Sequence, residues 1–243
     1  MSQLTKNTQR YGALGLIGLA VVGAAACTDV LAPVDGQSTT LSFRSSARSS
    51  LSSAVLAAIP VTGGGHTVDI QKVDVLFDQV KLERVKTGDD RDSDANEDDS
   101  DLRNEEVFRS GPVTLALPLD GGVVSPFSQT IPAGSYDELQ MKARTIRLVG
   151  TYDGQAFDVT VPLSVKLETR LNPPLTIAAT TDRPDITVDV NVLSWFKDRT
   201  GTVIDPRLLA TDGTARSEFR SRVRSSFRAF KDKNRDGVDS DSR

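Results

Sequence analysis

The residues of this sequence best suited to chemistry lie near its C-terminal end, where oxygen-bearing side chains recur at every second position. Asp232, Asn234 and Asp236 are followed directly by Gly237 and Val238. In an EF-hand calcium loop, side-chain oxygens occupy positions one, three and five, glycine makes the sharp turn at six, and the carbonyl of seven binds the ion. The spacing therefore predicts a calcium site formed by Asp232, Asn234, Asp236 and the carbonyl of Val238.

The rest of this loop departs from the calcium-binding pattern. Arg243 stands at position twelve, where an EF-hand supplies a bidentate glutamate. Asp239 or Asp241 would replace that ligand only if the chain wrapped differently. If calcium binds, we expect a Kd on the order of 10⁻⁴ to 10⁻³ M, as in extracellular modules. The alternative is a polar, Asp-rich tail without a metal, and the sequence leaves both interpretations open.

The sequence contains few residues of the types that usually act in catalysis, with one histidine and one cysteine. His66 is the only histidine, and it follows three consecutive glycines with no serine in a nucleophile-elbow motif. The single cysteine, Cys27, excludes a disulfide framework and a cysteine-based zinc site. We predict no catalytic residues and a protein that is not an enzyme, with a hydrolase as the least favoured function.

A carbohydrate-binding or adhesin-type ligand binder is the alternative function that the composition leaves open. Such a protein needs exposed aromatic rings, but aromatic residues make up only 5% of the chain. Trp195, Tyr136 and Tyr152 are the candidates for stacking on a sugar. The protein or glycan partner itself cannot be named from the sequence.

The N-terminus has the features of a bacterial export signal. Lys6 and Arg10 precede the apolar run Tyr11 to Ala26, which is short for a membrane span and ends in small residues before Cys27. The stretch Ala24 to Cys27 resembles the lipobox of bacterial lipoproteins, in which the cysteine is lipidated. We therefore expect a signal peptide over 1–26, a lipidated Cys27 and a flexible tether over 27–38. A plain signal-peptidase cut with an incidental cysteine is the alternative.

The longest strand-like segment is Thr67 to Val85. Its apolar residues alternate at period two but change parity near Gln71–Lys72 and again near Asp78–Gln79, and a bulge at each point would restore one buried face. Seven to nine strands with close turn signals favour an antiparallel β-sandwich or a partly open barrel over 39–206. We take the sandwich, immunoglobulin-like or transthyretin-like, as the predicted all-β fold.

Charge is segregated along the chain, although the net charge is only −4. Asp89 to Glu106 holds ten acidic and two basic residues, whereas Arg207 to Arg235 holds nine basic and three acidic ones. The acidic segment, 87–106, is predicted to be a solvated loop. Basic residues without interleaved aromatics argue against nucleic-acid binding.

In the C-terminal region, 207–243, the spacing of the apolar residues changes from that of a strand to that of a helix. Phe219, Val223, Phe227 and Phe230 are spaced for one stripe of an amphipathic helix over Thr214 to Lys231. We predict that this stripe packs on the sandwich beside Trp195. A basic helix lying on anionic lipid is the alternative.

Three stretches carry a resemblance to a known family: Val73 to Val85, Leu117 to Ala143 and Ile186 to Pro206. Together they resemble bacterial lipoproteins with the all-β domain of unknown function 4382, a family without assigned activity or cofactor. The resemblance implies a lipid-anchored protein of the bacterial cell envelope, periplasmic or surface-exposed. We expect a non-enzymatic binding or structural module whose membrane contact is its N-terminal lipid.

Overall fold

The computed structural model of the chain describes residues 36–46, 58–85, 105–178 and 185–232, together with Gly237 and Asp239. These residues form nine strands, one α-helix and two short 3₁₀ helices. The strands are β1 (Gly36–Ser45), β2 (Ile59–Gly63), β3 (His66–Arg84), β4 (Glu105–Ala116), β5 (Val123–Pro132), β6 (Gly134–Tyr152), β7 (Gln155–Ile177), β8 (Ile186–Val190) and β9 (Phe227–Lys231). The α-helix, α1, spans Gly213–Arg224, and the 3₁₀ helices span Val192–Phe196 and Pro206–Leu208.

The strands form two sheets, which confirms the predicted all-β, sandwich-like fold. The first sheet has the order β5-β1-β8-β9, and the second has the order β2-β3-β6-β7 with β4 also paired to β3. All pairs are antiparallel except β1 and β8, which run parallel. Gly36 to Ser38, the last three residues of the segment predicted as a tether, belong to β1 instead.

The central strand β3 has the irregularities that its sequence predicts. Its register with β6 shifts between Ile70 and Lys72 and again between Phe77 and Gln79. Seven apolar residues on the two sides of these shifts are fully buried: Val68, Ile70, Val73, Val75, Phe77, Val80 and Leu82. The bulges therefore bring all of them to the same inner face of the second sheet.

The core lies between the two sheets. Phe43 of β1 contacts Phe77 of β3 across the interface, with their ring centroids 5.9 Å apart, and Phe127 of β5 meets Phe43 edge-on at 6.1 Å. Facing residues of two sheets interdigitate in this way in β-sandwiches.

The C-terminal helix is shorter than predicted, so the predicted length was wrong. Helix α1 ends at Arg224, and Phe227 and Phe230 belong to β9, which pairs antiparallel with β8. The aromatic spacing fits a helix, but pairing with β8 satisfies backbone groups that the edge of the first sheet would otherwise leave open. The C-terminal region therefore supplies a strand of the sandwich.

The two apolar residues of the predicted stripe that do lie in α1 pack on the sandwich beside Trp195, as predicted. Phe219 and Val223 are fully buried, and the Phe219 ring lies 6.0 Å from Trp195 and 5.8 Å from Phe196. The Arg220 guanidinium donates to the Pro162 carbonyl of β7 at 2.7 and 3.0 Å. An apolar face covered in this way is not available to lipid.

Of the acidic loop predicted for 87–106, residues 87–104 lie outside the described ranges. Its last two residues, Glu105 and Glu106, begin β4 and pair with Glu83 and Leu82 of β3. They are therefore part of the sheet.

Candidate functional site

Asp232, the first predicted calcium ligand, directly follows β9 and is fully buried. Its Oδ2 accepts hydrogen bonds from Thr187 Oγ1 at 2.7 Å and from the Gly237 N–H at 2.9 Å. Thr187 alternates along β8 with Ile186 and Val188, which belong to the core. Thr187 therefore points to the outer face of the first sheet, and the carboxylate is held there between β8 and the turn at Gly237.

Gly237 makes the turn that position six of a calcium loop requires. Its φ of 74° is in the left-handed region, which favours glycine. A Cβ at this position would lie 2.9 Å from Val123 Cγ2 of β5 and 3.0 Å from Arg44 Cδ of β1. The turn thus packs closely on two further strands of the first sheet.

One oxygen of the Asp232 carboxylate is left unsatisfied. Oδ1 is buried and has no hydrogen-bond partner among the residues that the structure describes. Such an oxygen is costly to bury because it loses its water and gains nothing in return. A bound cation is one way to compensate that loss, and calcium prefers oxygen ligands of this kind.

The other predicted calcium ligands are not placed. Asn234, Asp236 and Val238 lie outside the described residues. Within the described part of the chain, no group of three His, Cys, Asp or Glu residues is arranged to hold a metal ion. The structure therefore brings Asp232 and Gly237 together, and the calcium site stays a prediction from the sequence.

Basic side chains also meet the C-terminal acids. Asp239, a possible replacement ligand in the sequence pattern, accepts a hydrogen bond from Arg228 at 2.7 Å. Arg44, beside Gly237, pairs with Asp189 at 3.1 Å and lies over the Phe230 ring. The Arg228–Asp239 contact is of the kind that the alternative of a tail without metal requires.

His66 lies at the start of β3 on an exposed hairpin end. Its Nδ1 is 2.7 Å from Asp153 Oδ2, and the two side chains are 45% and 43% exposed. The Thr67 N–H and the His66 side chain hold the pKa of the Asp153 carboxyl below its usual value. Because this pair is open to solvent, it does not form the buried carboxylate cluster that a hydrolase at His66 would need. Its evident effect is to tie the turn at Asp153 to β3.

The three aromatic candidates for glycan stacking are all buried. Trp195 and Tyr136 are fully buried, and Tyr152 is 8% exposed. Trp195 Nε1 donates to Ser226 Oγ, and the Tyr136 hydroxyl donates to the Pro132 carbonyl at 2.9 Å. None of them offers a ring face to a sugar, so the carbohydrate-binding hypothesis loses the residues on which it depended.

A basic groove on the second sheet is not evident from the sequence. Lys81 of β3, Lys142 of β6 and Lys166 of β7 line a cavity of about 390 Å³, which we call the lysine groove. Pairing between strands brings these residues together from distant positions. A local pattern search has no signal for such a cluster.

The anchoring prediction falls on residues that the structure does not describe. Cys27 and the apolar run before it lie outside the described ranges. Among the described residues, none of the helices has the length and apolar character needed to cross a bilayer.

Comparisons of the chain with family models, with curated proteins and with solved structures found no match. The resemblance to lipoproteins with the domain of unknown function 4382 therefore stays a prediction from the sequence.

Proposed function

We propose that the chain is a lipid-anchored protein of the bacterial cell envelope, with its lipid on Cys27. Its β-sandwich is a non-enzymatic binding or structural module. Calcium bound at Asp232 to Val238 stabilises the first sheet of that sandwich, to which β9 belongs. The observation that supports calcium binding is the buried Asp232 carboxylate, one oxygen of which has no hydrogen-bond partner within the described ranges and which lies beside a left-handed glycine.

The position of Asp232 explains what calcium would do for the module. The carboxylate follows β9 and contacts β8 through Thr187, while Gly237 packs on Val123 of β5 and Arg44 of β1. These contacts reach every strand of the first sheet. An ion bound here therefore stabilises the pairing of the whole sheet and couples metal binding to folding.

A calcium titration of the full chain in mild detergent tests this proposal. We expect a saturable heat, and at 10 mM calcium a gain of about 1.4 kcal/mol in the free energy of unfolding if the Kd is about 10⁻³ M. Asp236→Asn should weaken binding roughly tenfold because it removes a charged ligand.

Asp120→Asn is the matched control. Asp120 lies in an exposed turn, where its Oδ1 accepts from the Gly122 N–H, a bond that an Asn side chain can also accept. This variant should bind calcium like the wild type. Absence of both heat and thermal stabilisation in the wild type would reject calcium binding and leave the arginine contacts as the means of holding the tail.

A further inference from the structure

A second buried carboxylate lies opposite Asp232. Ile186 of β8 is paired with Lys231 of β9, and one step beyond this pair the Asp232 N–H donates to the Asp185 carbonyl at 2.9 Å. Asp185 and Asp232 are therefore the next opposed positions of the same antiparallel pairing. Asp185 is 4% exposed and Asp232 is fully buried. Both acids are thus removed from water where the pairing of β8 with β9 ends.

The strand pairing brings these two side chains to one face of the sheet. Side chains alternate between the two faces of a strand, so Asp185 shares the face of Thr187, whose hydroxyl donates to Asp232 Oδ2 at 2.7 Å. Directly opposed residues of an antiparallel pair have Cβ atoms about 5 Å apart. Calcium binds oxygen ligands at about 2.3–2.6 Å, so two carboxylates at this spacing reach the same ion.

The hydrogen bonds of the two carboxylates are those expected of metal ligands. Asp185 Oδ1 accepts from the Thr40 N–H at 3.2 Å, which orients this carboxylate at the start of β8. Carboxylates that bind metals are commonly oriented by such hydrogen bonds. Asp232 Oδ1 is buried and has no hydrogen-bond partner within the described ranges. Arg44, the basic residue beside the glycine turn, pairs with Asp189 at 3.1 Å.

The acidic ligand that the calcium loop lacks has to come from elsewhere in the fold. Arg243 stands at position twelve of the sequence pattern, and Asp239 is engaged by Arg228 at 2.7 Å. Within the described part of the chain, Asp185 is the carboxylate that lies directly opposite Asp232. It lies 47 positions earlier in the sequence, so no loop pattern includes it.

We propose that Asp185 is a further ligand of the calcium ion proposed at Asp232, an inference that rests on that proposed function. Asp185 supplies the acidic oxygen ligand that position twelve of the loop lacks, and the Thr40 N–H orients its carboxylate. The ion then joins the residue before β8 to the residue after β9. Calcium binding therefore holds β9 against β8 from both chain segments.

A calorimetric calcium titration of Asp185→Asn tests this inference, with the full chain in mild detergent. The Asn amide oxygen still accepts from the Thr40 N–H, so the substitution removes a charge and keeps the hydrogen bond. We expect the calcium affinity to fall roughly tenfold, because the number of charged ligands sets the affinity of such sites. Without calcium, the variant should be at least as stable as the wild type, because it buries one charge fewer.

Asp212→Asn is the matched control. Asp212 Oδ1 accepts from the backbone N–H groups of Thr214 and Ala215 at the start of α1. Asparagine caps a helix about as well as aspartate does. This variant also loses one charge and keeps its hydrogen bonds, so it should bind calcium like the wild type.

The outcomes separate this inference from the proposed function. If the wild type binds calcium and Asp185→Asn binds it equally well, the inference is overturned and the calcium site at Asp232 stands. The inference also fails if Asp212→Asn loses as much affinity as Asp185→Asn. It fails again if calcium-free Asp185→Asn is less stable than the wild type, because the charge then serves the fold. A wild type that binds no calcium rejects the proposed site and this ligand together.

Discussion

Gly150 shows how a single residue controls the approach of two strands. It lies in β6 opposite Ile70 of β3, and a Cβ at this position would lie 2.0 Å from the Asp69 carbonyl oxygen. The same Cβ would lie 3.1 Å from Phe157 Cζ. Glycine is needed here for space, because any larger residue would push the backbone of β3 away.

We predict that Gly150→Ala lowers the free energy of unfolding by about 1–3 kcal/mol, the usual cost of overpacking. Gly213→Ala is the control, since a Cβ there meets no atom within 4 Å at the start of α1. It should change stability by less than about 0.5 kcal/mol. Urea unfolding followed by Trp195 fluorescence measures both, and equal effects of the two variants would contradict the steric argument.

At the scale of elements, helix α1 is held to the sandwich through Trp195. The Trp195 ring packs edge-on against Phe219 of α1 at 6.0 Å and stacks on Phe227 of β9 at 6.3 Å. Its indole N–H donates to Ser226 Oγ, and that hydroxyl donates to the Val223 carbonyl at 2.7 Å. Ser226 thus links the end of the helix, the tryptophan and the start of β9.

Ser226→Ala should destabilise the fold by about 1–3 kcal/mol, because it leaves the buried indole N–H without an acceptor. Ser225→Ala removes a neighbouring hydroxyl that donates to the Arg222 carbonyl in an exposed position, and we expect it to be nearly neutral. Thermal unfolding monitored by tryptophan emission compares the pair. A Ser226→Ala protein as stable as Ser225→Ala would show that Trp195 does not depend on this bond.

At the scale of the whole molecule, the anchor would hold the sandwich close to the membrane. Strand β1 begins at Gly36, nine positions after Cys27. Nine extended residues span at most roughly 30 Å. A lipid on Cys27 would therefore keep the first residue of β1 within roughly 30 Å of the membrane surface.

Lipidation is tested in cells with two variants of the signal region. Cys27→Ser should abolish incorporation of labelled palmitate and release the protein into the soluble fraction, because serine cannot carry the thioether lipid. Ala24→Leu brings the motif closer to the lipobox pattern and should label at least as well as the wild type. Labelled protein in the Cys27→Ser strain would overturn the anchor at this residue.

The sequence by itself determined the elements whose signal is local. Alternation at period two with two parity changes predicts β3 and its bulges, and the dipeptide Asp153–Gly154 between two alternating stretches is typical of a two-residue hairpin turn. In the structure both turn residues have positive φ, 49° and 79°. These predictions succeed because strand faces and tight turns depend on residues only a few positions apart.

Only the tertiary structure decided the features that join distant residues. The local spacing of Phe227 and Phe230 indicated a helix, but the open edge of β8 made that segment a strand. The burial of Asp232 depends on Thr187, 45 positions earlier, and the lysine groove depends on the register that sets Lys142 opposite Lys166. Pairing between strands has no periodicity along the chain, so these contacts become visible only when the two sheets are assembled.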